Sequence, residues 1–137
     1  MTIVVAVSDN PEGAAAVRAA IDEARGLRDR HVVAVNTGHT PLDVGGLAGD
    51  LTIELVFPDG RGDHDPANAV LGQIAEHDAR LLVIGIRRRS AIGKALLGSL
   101  SQKLLLHATV PVLTVKVPEH PDEDSRTHEA IGTADGG

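Results

Sequence analysis

The stretch Leu81–Ser101, LLVIGIRRRSAIGKALLGSLS, decides the architecture. Leu81 to Ile84 is an unbroken apolar run, as expected of a strand buried on both faces, and it ends at Gly85. A loop to about Leu97 follows. Gly98-Ser99 then opens a segment in which Leu100, Leu104 and Leu105 recur at helical spacing, closing at His107-Ala108. A buried strand that leads through a glycine-bounded connection into a helix is a building unit of a parallel α/β sheet.

The flanking sequence supplies the rest of such a sheet. Ile3 to Val7 and His31 to Asn36 (HVVAVN) are two more short β-branched runs and read as buried strands. Between them Ala14, Ala15, Val17, Ala20, Ile21 and Ala24 repeat at helical spacing through roughly 12–28, behind the turn-like Ser8-Asp9-Asn10-Pro11. Residues 38–50 are rich in Gly, Pro and Asp and read as a loop. Leu51 to Phe57 (LTIELVF) alternates and reads as an edge strand. Asp65-Pro66 is a helix start, an N-cap followed by proline at the first helical position. That helix carries Ala69, Val70, Ile74 and Ala75 inward and ends near His77-Asp78. Val110 to Val117 (VPVLTVKV) is the last strand. Strands alternate with helices, so the expected fold is α/β, with a single doubly wound parallel sheet and helices on both faces.

Composition narrows the function. There is no cysteine, which excludes disulfides, thiolate metal sites and thiol nucleophiles. Phe57 is the one aromatic residue, so the aromatic platforms that bind single-stranded nucleic acid are absent and no nucleic-acid partner is expected. MTIVVAVSDN has neither the basic start of a signal peptide nor the length of a membrane span. A cytoplasmic protein that does not insert into membranes is the expectation. The net charge of −6 is concentrated in the tail. From Pro118 onward Glu119, Asp122, Glu123, Asp124, Glu129 and Asp135 face one base, Arg126, which leaves −1 on residues 1–117. The expected division is a folded domain, 1–117, and an acidic, disordered tail, 118–137.

In open parallel sheets ligands bind beyond the carboxyl ends of the strands. Of the segments there, Gly85–Ser99 carries the strongest signal. A helix opening at Gly98-Ser99 presents free N–H groups and a positive dipole end to an anion, and Ser99 and Ser101 add hydroxyls. Arg87, Arg88, Arg89 and Lys94 make the connection electropositive, and the planar arginine fork suits phosphate. Solvated basic residues and a close-packing role for Gly98 explain parts of this pattern. Their coincidence on one strand-to-helix connection favours an anion site.

That connection resembles the nucleotide motif of the universal stress protein family: Gly, two residues, Gly, nine residues, then Gly-Ser or Gly-Thr. Here it runs Gly85, Ile86-Arg87, Arg88, nine residues from Arg89 to Leu97, then Gly98-Ser99, with arginine at the second glycine position. The resemblance covers about residues 2–117 and includes IVVAV, EHDARLLVIG, ALLGSLSQKLL and VPVLTVK. It implies a five-stranded parallel sheet in the order 3-2-1-4-5. It implies that ATP or another adenine nucleotide is bound, with Mg accompanying it. Gly85, Gly98, Ser99 and Ser101 would hold the phosphates, the turn at Ser8 and Asp9 would touch the ribose, and Asn36-Thr37 would meet the base. Family members carry Asp directly after the first strand, where this chain has Ser8 followed by Asp9. Arg88 either fills the phosphate space or pairs with a phosphate. The resemblance also implies a homodimer built through Val110–Val117, an apolar strand at a sheet edge.

The expected function is therefore an adenine-nucleotide-binding stress-response or regulatory protein. The alternatives are an interaction module of the same fold that has lost nucleotide binding, and a slow ATPase. No catalytic residue and no metal site is expected. Asp63-His64-Asp65 has ligand-type residues, but capping explains Asp65 better. Lys94 lies in no Walker-type pattern, and no histidine sits in a nucleophile motif.

Overall fold

The computed structural model describes residues 1–26, 31–38, 41, 49, 51–58, 65–88, 95–96 and 98–118. The elements, in chain order, are β1 (Thr2–Val7), α1 (Pro11–Gly26), β2 (His31–Asn36), β3 (Thr52–Val56), α2 (Pro66–His77), β4 (Leu81–Arg88), β5 (Ala95–Leu96), α3 (Ser99–His107) and β6 (Val112–Pro118). The tail beyond Pro118, the Asp63-His64 pair, Arg89 and Lys94 lie outside the described residues.

Five parallel strands run in the order β3-β2-β1-β4-β6, which is 3-2-1-4-5 counted along the parallel set. Alternation within each strand builds two cores. Ile3, Val5, Val7, Val32 and Ala34 face α1 through Ala16, Val17, Ala20, Ile21 and Ala24. Val4, Ala6, Val33 and Val35 face α2 and α3 through Val70, Ile74 and Leu104. β1 is buried at every position because both its faces and both its edges are covered. β3 is the edge strand expected from its alternation.

The start of α2 follows its sequence signal. Asp65 is the N-cap, its Oδ1 accepts from the Ala67 amide at 2.9 Å, and Pro66 opens the helix. The Lys103 ammonium from α3 also reaches Asp65, which ties the two helices of that face together. At the far end Asp78 is left-handed, with φ 50° and ψ 50°, and its amide returns to the Ala75 and Ile74 carbonyls.

Several details differ from expectation. β4 does not stop at Gly85. It continues to Arg88, because β6 pairs with it as far as Pro118 and the two-residue β5 pairs antiparallel with Arg87 and Arg88. Since β6 holds one edge of β4, β5 occupies the other, above the point where β1 ends. The last strand begins at Val112 rather than Val110, after the Pro111 carbonyl has accepted from the Leu82 amide at 3.0 Å. Finally, Ala14 and Ala75 are exposed, and Ala16 and Ala67 take the inward places. Small residues on adjacent helical positions carry too little burial energy to distinguish one face from the next.

Candidate functional site

The strand order reverses between β1 and β4. The chain leaves β1 for α1 on one face, and the connection after β4 leads to α3 on the other. Diverging departures open a cleft beyond the carboxyl ends of these strands. Its volume is about 480 Å³, within the range of small-molecule sites. Ala6, Ile84, Ile86 and Leu104 give it an apolar floor. Ser8, Asn10 and Glu12 from the β1–α1 turn, Thr37 after β2, and Gly98 to Ser101 at the start of α3 form its polar rim.

The two helix starts at the cleft are built differently. At α1 the Gly13 amide donates to the Asn10 carbonyl at 2.9 Å and meets its Oδ1 at 3.3 Å, while the Ser8 hydroxyl donates to the same Oδ1. Pro11, first in the helix, has no N–H to satisfy. This end is closed by its own side chains. At α3 the cap is Gly98, extended at φ −73° and ψ 173°, with no side-chain capping bond and no acid in the first turn. Helical bonding begins at the Gln102 amide, which donates to the Gly98 carbonyl at 3.0 Å. The amides of Ser99, Leu100 and Ser101 precede that bond, so they lack intrahelical acceptors and carry the positive end of the helix dipole into the cleft.

The two motif glycines have different reasons to be glycine. A Cβ on Gly85 would stand 2.1 Å from the Glu12 carbonyl oxygen. Gly85 is therefore what lets the first turn of α1 lie against β4. Among the described residues, a Cβ on Gly98 would meet nothing within 4 Å. No described residue packs closely enough to require that glycine, and Gly98 itself lines the cleft.

Of the residues singled out from sequence, Ser8, Thr37, Gly85, Gly98, Ser99 and Ser101 come together around the cleft. The Thr37 amide and hydroxyl both donate to the Val7 carbonyl, at 2.8 and 2.9 Å, clamping the end of β2 to the end of β1. Asp9 is exposed beside the cleft, with its carboxylate against the Gly38 backbone. Arg87 and Arg88 are not in a loop but in the overhanging end of β4. Asp78 is the one non-glycine with positive φ among the described residues, so Arg88 occupies its position with ordinary strand backbone. Asn10 and Glu12 also reach the cleft. Sequence reasoning missed them because an acid in a first helical turn reads simply as dipole compensation. Glu12 is 8% exposed.

The Universal stress protein family model matches residues 59–116, which includes α2, β4, β5, α3 and most of β6. A universal stress protein of Mycolicibacterium smegmatis is 35% identical over 135 aligned residues, spanning 83% of this chain and 96% of that protein. The chain belongs to the universal stress protein family. A universal stress protein structure from Archaeoglobus fulgidus superposes with a TM-score of 0.62 at 30% identity, covering 85% of this chain and 98% of the other. The fold is shared as well with a universal stress protein crystallised in complex with cAMP, at TM-score 0.59 and 21% identity, covering 85% and 96% of the two chains. Among the described residues no helix is long and apolar enough to cross a membrane.

Proposed function

We propose that this universal stress protein binds an adenine nucleotide in the β1/β4 cleft, with the phosphates on the first turn of α3. The observation that carries the reading is the α3 start: amides without intrahelical acceptors and, among the described residues, no side-chain cap and nothing crowding Gly98. A helix N-terminus of this kind favours an anion, and the Ser99 and Ser101 hydroxyls extend the donor set. The apolar floor between Ala6 and Ile86 suits a base. Glu12 and Asp9, at or beside the rim near Ser8, are acceptors suited to ribose hydroxyls or to a Mg2+ carried in with the phosphates. The relative crystallised with cAMP supports an adenine nucleotide as the ligand class.

Glu12 is the one titratable side chain among the described cleft-lining residues. Among the described cleft-lining residues no acid and base are paired for fast hydrolysis. A cytoplasmic regulator that responds to nucleotide, with at most slow turnover, fits this better than an ATPase. β6 has β4 on one edge and no described strand on the other, and such an edge suits pairing with a second copy of the chain.

Isothermal titration calorimetry with ATP, ADP and cAMP tests the nucleotide reading. Saturable one-site binding of at least one of them is expected. No heat from any of the three at millimolar ligand would sink it. Sedimentation velocity tests the dimer, which a lysine replacing Val117 in β6 should weaken.

A further inference from the structure

The end of the sheet opposite the cleft holds a second cluster. β2 begins at His31 and β3 carries Glu54, and both fall on the face of the sheet shared with Val33, which is the face covered by α2. α2 packs on that face and ends at His77, bringing a second imidazole over the strand starts. The three residues are 23 positions apart in each step along the chain, and only the topology unites them.

We propose that His31, Glu54 and His77 form a zinc site. Glu54 Oε1 lies 3.4 Å from His31 Nε2 and 3.9 Å from His77 Nε2, and the ligand atoms of all three lie within 4.8 Å of one another. Zinc bonds of roughly 2.0–2.1 Å in tetrahedral geometry set donor atoms about 3.4 Å apart. The His31–Glu54 pair already has this spacing. The remaining closure is a side-chain adjustment of about an ångström, and Glu54, 47% exposed, is free to make it. The imidazole rings stand edge to face, with centroids 5.3 Å apart and planes at 65°. That arrangement lets two ring nitrogens converge on one point instead of stacking past it.

The surroundings orient both imidazoles. Thr2 Oγ1, on buried Thr2, lies 3.0 Å from His31 Nδ1. With an ion bound, Nδ1–H would donate to that hydroxyl and leave the Nε2 lone pair for the metal, the kind of outer-shell bond that fixes a ligating histidine. Gln73, one turn before His77 on α2, places Oε1 3.1 Å from His77 Nε2. It holds that ring in the metal-free protein and would yield the nitrogen to the ion. Two imidazoles and one carboxylate suit zinc, whereas Mg2+ and Ca2+ prefer all-oxygen sets. The fourth position would be filled from solvent. An ion here would bind the edge strand β3 to β2 and to the end of α2.

Calorimetry with zinc chloride on the full chain at neutral pH tests the proposal, with CD confirming that each variant is folded. One tight equivalent is expected in the wild type. It should weaken about ten-fold or more in His31→Gln/His77→Gln and in the surface variant Glu54→Gln. Cobalt(II) should show the intense visible absorption of a four-coordinate site in the wild type and lose it in the variants. The chain has seven histidines in all, so weaker further equivalents in every protein are background. The proposal is overturned if the first equivalent binds the variants as tightly as the wild type, which assigns it to other residues, or if the wild type binds no zinc.

Discussion

Replacing Gly85 by alanine separates a packing glycine from a ligand glycine. The added methyl would stand 2.1 Å from the Glu12 carbonyl oxygen, 2.7 Å from its carbon and 3.0 Å from its Cβ. It is therefore more than an ångström short of ordinary contact, against backbone. The first turn of α1 has little room to retreat. Asn10 caps it, and Gly13 is itself pressed to the Ser8 carbonyl, where a Cβ would stand at 2.1 Å. Ala16, Val17 and Ala20 beyond it are fully or nearly fully buried. Overpacking against fixed neighbours costs about 3 kcal/mol. Alanine recovers up to about 1 kcal/mol through the unfolded chain and strand preference. The net expectation is a loss of about 2 kcal/mol, equivalent to roughly 8 °C in Tm for a domain of this size. Urea unfolding followed by CD measures it, with the m-value unchanged. A loss under about 0.5 kcal/mol, the level of an indifferent surface change, would refute the packing argument. Gly85 would then be reserved for a ligand alone.

Gly98 should respond in the opposite way. Gly98→Asp gives α3 a side-chain cap and a charge that complements its dipole, so stability should rise by about 0.5 kcal/mol. The same carboxylate would occupy the anion position, and ATP affinity should fall at least ten-fold by calorimetry; unchanged affinity would move the phosphates elsewhere. Arg88→Gly should lower nucleotide affinity a few-fold at low salt and little at high salt. A wild type that fails to bind, beside a glycine variant that does, would instead identify an interaction module with a blocked cleft. Asp65 is held below its ordinary pKa, first by the Lys103 hydrogen bond and then by the Ala67 amide. Its charged form is therefore favoured by folding, and that contribution is present above the ordinary value and lost as pH falls through the folded one. The urea midpoint of the wild type should exceed that of Asp65→Asn from about pH 7 to 5, and the gap should close below about pH 4. A gap that widens in acid would contradict the Lys103 pairing.

The parallel sheet was legible because its strands are short, β-branched and buried, and because Asp65-Pro66 marks a helix start without ambiguity. The end of β4 was not. Arg87 and Arg88 look like loop residues, and what keeps them extended is distant pairing with Val117, Pro118, Leu96 and Ala95. The cleft was legible where chemistry is carried by spacing, as in Gly98-Ser99, and illegible where it depends on helix phase, as at Glu12. The two glycines show the same limit. One motif names both, and only the neighbours of each Cβ show that Gly85 serves α1 while no described residue crowds Gly98. The His31, Glu54 and His77 cluster has no sequence pattern at all, since three separate elements bring it together.

Nucleotide binding in this cleft turns on where the phosphates sit. Backbone amide shifts in 15N-labelled protein, titrated with ATP and separately with adenosine, test this most directly. ATP should move the Ser99, Leu100 and Ser101 amides strongly, and adenosine should leave them nearly in place while still perturbing the cleft floor. If ATP leaves those three amides unmoved, or moves them no more than adenosine does, the first turn of α3 is not the phosphate site.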